Sequence, residues 1–67
     1  MVTHLPAGLA LYNLSLSYRQ AGHLLRAIES VRESLRIFQA ALPLSHPHVA
    51  AAQQLVRLLE AAIQKRS

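Results

Sequence analysis

Apolar residues recur along this chain at intervals of three and four, in blocks separated by a glycine and by two prolines. Leu11, Leu14, Ser15 and Tyr18 fall at i, i+3, i+4 and i+7, and Leu24, Ala27, Ile28, Val31, Ser34, Leu35 and Phe38 continue the period after Gly22. That spacing marks one face of a helix. A third block sets Ala52, Leu55, Val56, Leu59, Ala62 and Ile63 against Gln53, Gln54, Arg57, Glu60, Gln64 and Lys65, the two faces of an amphipathic helix. The pattern predicts an all-α chain with helices over about residues 7–21, 24–41 and 47–64 and no strand.

The breaks carry their own chemistry. Pro6 suits the first position of a helix, where its missing N–H costs nothing and its fixed φ helps. Gly22 can adopt the left-handed conformation that stops the first helix, and Pro43 cannot continue the second. Pro47 opens the third helix, with Ser45 or His46 as its cap. Where the first two helices cross, Ser15, Ala27 and Ser34 are small enough to let the backbones approach toward the short end of the usual range of about 8–10 Å.

These spacings resemble the tetratricopeptide repeat. Leu11, Leu14 with Ser15, Tyr18, the hinge Gly22, Ala27, Val31 and Ser34 stand at the positions of that motif. Leu11 replaces its Trp, Ser15 its Gly, Val31 its second-helix aromatic and Ser34 its Ala, so the small positions stay small. The likeness covers residues 8 to about 40, roughly one repeat. The run from Leu44 to Ala52, LSHPHVAAA, resembles the longer repeats of kinesin-light-chain type, in which His-Pro-x-Val-Ala opens the next first helix. The resemblance implies a three-helix, tetratricopeptide-like hairpin plus a third helix, which either begins a second repeat or caps and solvates the array. One and a half repeats fall short of the minimum of about three. The chain is therefore expected to be a terminal piece of a longer repeat protein, or a module that completes its core against another chain.

Length and composition narrow the picture. Sixty-seven residues allow one domain, and a chain this short buries only about 60% of its unfolded surface. With 52% hydrophobic residues but three aromatics, the core should be Leu, Ala and Ile, which suits packed helices. No cysteine occurs, so no disulfide framework or cysteine zinc site is expected, and the cytoplasm is the default compartment. Seven Lys and Arg against three acidic residues give +4. Arg26, Arg32 and Arg36 alternate with Glu29 and Glu33 as a solvated face with weak ion pairs, while Lys65 and Arg66 suit the last turn of a helix. Neither nucleic acid nor a membrane is the expected partner. The apolar N-terminus has no Lys or Arg ahead of it and is interrupted by Pro6 and Asn13, unlike a signal peptide. No stretch approaches the roughly 20 apolar residues of a membrane span.

The candidate binding surface lies on the first helix. Leu9, Tyr12 and Leu16 form a second apolar stripe, offset from the Leu11, Leu14 and Tyr18 stripe expected to pack inside. A helix apolar on two faces is normally buried on both. In the repeat family such a stripe lines the groove where peptides dock; here it is expected to be buried against another polypeptide, most simply a second copy of the chain, with the third helix as the competing cover. The family's carboxylate clamp uses an Asn here with a basic residue further on, so Asn13 and Arg19 match half of it. The third helix offers Gln53, Gln54 and Arg57 at the matching positions, and Leu9 and Leu16 stand where the clamp needs cations. A groove so apolar favours an amphipathic helix or an extended apolar peptide over a charged tail.

Catalytic signals are weak. Glu29 and Glu33 lie on the solvated face, and Glu60 is expected to stand alone. Ser15, Ser17, Ser30 and Ser34 have no base in sequence reach. His46 and His48 flank a proline in poor chelating geometry, and neither His4, in a segment expected to fray, nor His23 completes a tetrahedral set. The expected protein is thus no enzyme, with no metal and no cofactor: a non-catalytic module that binds a protein, a peptide or its own copy. Two alternatives remain open. One is a three-helix microtubule-interacting-and-trafficking type domain, which takes a helical motif between its first and third helices. The other is the non-catalytic C-terminal helical region of a larger enzyme such as a SET-and-MYND methyltransferase.

Overall fold

The computed structural model describes residues 4–66. They form three helices, α1 (Leu5–Gln20), α2 (Leu24–Ala41) and α3 (Pro47–Arg66), with no strand among the described residues. Pro6 stands in the first turn of α1. At its other end Gly22 has φ +83°. There the Gly22 N–H donates to the Arg19 carbonyl at 3.1 Å and the His23 N–H to the Tyr18 carbonyl at 2.8 Å, a paired closure that satisfies two terminal carbonyls at once. Tyr18 and His23 meet edge to face across it, with ring centroids 6.3 Å apart. Gly22 is therefore the left-handed stop that its position suggested.

α2 ends where Leu42 turns extended, with φ −128° and ψ 156°, the conformation forced on a residue that precedes proline. Of the two caps considered for α3, His46 serves: its Nδ1 accepts the His48 N–H at 3.0 Å. The His46 and His48 rings lie 4.7 Å apart, and the His48 ring also rests on Phe38 at 5.3 Å.

α2 is the middle of the array. α1 and α3 each pack on α2 and scarcely on each other, giving a flattened layer of 43 × 20 × 13 Å. The buried apolar cluster comes entirely from two helices: Ala27, Ile28, Val31 and Phe38 of α2, and Val49, Ala52, Leu55 and Leu59 of α3. α1 contributes no large buried side chain. Its fully buried residues are Gly8 and Ser15.

What holds α1 is closeness. A Cβ added at Gly8 would lie 2.9 Å from Ile37 Cγ2 and from Phe38 Cε1, so the Phe38 ring rests where a side chain would otherwise stand. One turn pair further, Ser15 Oγ donates to the Ala27 carbonyl at 2.7 Å within the interface. Ser15, Ala27 and Ser34 are all fully buried, as a close helix crossing requires. Ser34 Oγ has no hydrogen-bond partner.

The face that α1 presents to α2 differs from the one its spacing suggested. Leu14, expected inside, is 42% exposed, and Leu11 is only half-buried. The packed face instead runs through Leu5, Gly8, Tyr12 and Ser15, a rotation of about one residue, or ~100°. Sterics cause it, because only Gly8 can lie under Phe38 and only a small residue can sit against the Ala27 backbone.

Polar contacts join α3 to its neighbours. Arg32 Nη2 donates to Glu60 Oε2 at 3.1 Å between α2 and α3, so Glu60 does not stand alone. Arg36 pairs with Glu33 at 3.4 Å one turn away. Arg66 Nη1 reaches the Gly22 carbonyl at 3.4 Å. The charged partners are exposed, and pairs of this kind contribute about 0–1 kcal/mol each.

Candidate partner-binding surface

Leu9, Tyr12 and Leu16 do lie along one flank of α1, but they are not equally free. Leu9 is 39% exposed. Tyr12 and Leu16 are half-buried and pack against the cluster built by α2 and α3. The chain's own core thus covers the inner half of this stripe, and what remains open is Leu9 with the outer edges of Tyr12 and Leu16.

The polar candidates divide by helix. Asn13 and Arg19 of α1 are exposed; on α3, Gln53 is half-buried and Arg57 exposed. The two sets stand on helices that flank α2 and scarcely meet, so they form two separate edges rather than one continuous wall. Tyr18, from the motif positions, is half-buried on the core, and Val31 is fully buried in it.

An open concavity lies away from both edges, at the α1–α2 hinge. It encloses about 300 Å³ between Gly22, His23, Leu24, Leu25, Arg26 and Arg66. Its charged groups are all cationic. Among the described residues, no group of three or more His, Cys, Asp or Glu stands where it could hold a metal ion, and no helix is long and apolar enough to cross a membrane.

Two surface features escaped the spacing argument. Gly8 sets the orientation of α1, and its signal was present: it stands seven residues before Ser15, so two small residues share one line of the helix. Leu14 is the other, and its exposure follows from that same line. Once Gly8 and Ser15 face α2, Leu14 is carried ~100° round the helix from Ser15, on the side opposite to Leu16.

The chain matches no family model, no curated protein and no solved structure, so its function is argued from this geometry.

Proposed function

We propose that this chain is a non-catalytic protein–protein interaction module of tetratricopeptide type, which docks an apolar peptide or helix along the Leu9 flank of α1. The observation that carries this is the position of α1 at the edge of the layer. It is apolar on more sides than α2 covers, and Leu9 stays exposed beside the outer edges of Tyr12 and Leu16. Burying such side chains against a partner contributes about 1.5–3 kcal/mol for each that is fully covered. Tyr12 adds a rigid ring whose hydroxyl can bond at a wet edge.

The in-line order of the helices supports the repeat reading over a trafficking-type bundle, because that bundle binds its motif between first and third helices, and here the two scarcely meet. Asn13 and Arg19 would form the polar rim on α1. Gln53 and Arg57 would serve a partner long enough to cross α2. A cysteine-free chain of this kind suits the reducing cytoplasm.

Peptide-display selection against the intact chain, followed by titration calorimetry, tests the proposal. Selected peptides should be apolar or amphipathic. Leu9→Gln should weaken their binding by about tenfold, the equivalent of about 1.4 kcal/mol, with the helical circular dichroism unchanged. Selection of acidic peptides whose binding falls steeply with salt and ignores Leu9 would overturn it.

A further inference from the structure

Charge is unevenly placed along the chain, and folding sharpens the unevenness. No Lys, Arg, Asp or Glu occurs in residues 4–18 or 37–56. Arg19 lies in the last turn of α1, Arg26 in the first turn of α2, and Lys65 and Arg66 in the last turn of α3. α1 and α3 both run antiparallel to α2. Gly8 lies at Phe38 while Ser15 bonds to Ala27, and His48 rests on Phe38 while Arg66 reaches Gly22. The three cationic turns therefore share one end of the layer. The other three arginines, Arg32, Arg36 and Arg57, are matched in number by Glu29, Glu33 and Glu60, so the whole formal charge of +4 stands at the hinge end. The sequence disperses these cations and the fold gathers them.

The gathered charges are not spent within the chain. Arg32 pairs with Glu60 and Arg36 with Glu33, whereas Arg19, Arg26 and Lys65 have no ion-pair partner among the described residues. Glu29, the carboxylate nearest to Arg26 along α2, stands one turn away and makes no pair with it. Arg66 is held over the hinge by the Gly22 carbonyl, where it and Arg26 line the open concavity together with Leu24 and Leu25. Leu25, among these cations, is 65% exposed.

Unpaired cations around an exposed leucine match a surface that is anionic outside and apolar just beneath. An anionic bilayer has both layers: its negative surface potential attracts Lys and Arg, and its acyl boundary receives apolar side chains a few ångströms below the headgroups. Nucleic acid presents phosphates with no apolar layer behind them to take an aliphatic side chain.

We propose that the hinge end is a membrane-surface contact, docking end-on to an anionic bilayer with Arg19, Arg26, Lys65 and Arg66 among the headgroups and Leu25 at the acyl boundary. Leu9 precedes Arg19 by ten residues, ~15 Å along α1. The peptide-docking flank therefore stays clear of the bilayer, and the two surfaces can be occupied together.

Flotation of the full chain with lipid vesicles tests the contact. The chain should bind vesicles of equimolar phosphatidylserine and phosphatidylcholine, fail to bind phosphatidylcholine alone, and be released as salt is raised. Arg26→Gln and Arg66→Gln should each weaken binding about fivefold. Arg36→Gln removes the same charge ~15 Å further along α2, beyond a Debye length of about 10 Å, and should leave binding nearly unchanged. Leu25→Gln, which alters no charge, should weaken it about tenfold. All these side chains are exposed, so each variant should keep the wild-type helical spectrum. Leu9→Gln should leave vesicle binding intact, which separates a failure of the peptide-docking flank from a failure here. No binding to the anionic vesicles, loss through Arg36→Gln equal to that through Arg26→Gln, indifference to Leu25→Gln, or tighter binding to polyglutamate or duplex DNA than to the vesicles would each overturn the proposal.

Discussion

α2 has two neighbours and meets them in opposite ways. Against α3 the contact is made by volume: Val49, Ala52, Leu55 and Leu59 fill the space beside Ile28, Val31 and Phe38. Against α1 it is made by the absence of volume, with Gly8 beneath Phe38 and Ser15 against the Ala27 carbonyl. The difference teaches that the two interfaces should fail under opposite substitutions. One cannot lose side chains, and the other cannot gain them.

The largest effect is expected at α3. Leu59 is fully buried, and Leu59→Ala should cost about 2–5 kcal/mol. That is most of the ~5 kcal/mol a small domain has available, so urea titration should find the variant largely unfolded. Leu59→Met, which keeps the volume, should cost under about 1.5 kcal/mol. Equal losses for both would mean the interface does not depend on volume.

Next comes Gly8. A side chain there meets Ile37 and Phe38 at 2.9 Å from its first carbon, and Gly8→Val should cost about 1–3 kcal/mol through overpacking. The sign is informative, because valine in place of glycine normally favours a helix by a few tenths of a kcal/mol. A thermal midpoint equal to or above wild type would show that α1 is not docked by close approach.

The smallest effects are expected at two buried serines. Ser15 and Ser34 are both fully buried, yet Ser15 Oγ has a partner and Ser34 Oγ has none. Ser15→Ala should therefore lose about 1 kcal/mol, whereas Ser34→Ala should be neutral or stabilising by up to about 1 kcal/mol. Urea midpoints compared side by side would read both, and a costly Ser34→Ala would break the distinction.

How legible these features were in the sequence varies from helix to helix for a physical reason. α2 alternates Arg26, Glu29, Arg32, Glu33 and Arg36 with its apolar line, so its buried face was evident. α3 was nearly as clear, with Ala52, Leu55 and Leu59 at the predicted positions in the core, although Val49 joined them from the first turn. α1 has no charged face to mark what points outward. Leucines on several sides made Leu11, Leu14 and Tyr18 look like the inner line, and the orientation was decided by Gly8 and Ser15, whose small size is invisible to a count of apolar residues. The same blind spot shaped the candidate surface. Tyr12 and Leu16 looked as open as Leu9, yet they turn half inward. The hinge at Gly22 needed no tertiary information, because a left-handed helix stop is a local event. Pairing of Arg32 with Glu60 did need it, since no spacing rule relates positions on different helices.

A layer in which α1 and α3 share α2 but hardly touch each other has a consequence in time. Either flank can lift away while the other stays docked, so the chain can open in two separable steps. Amide protons of α2, shielded from both sides, should then exchange only through global unfolding, while those of the flanks exchange through cheaper partial openings. Neighbouring helices here are also neighbours along the chain, linked by short turns that close easily. Such local wiring should place folding at the fast end of the range, within microseconds to milliseconds.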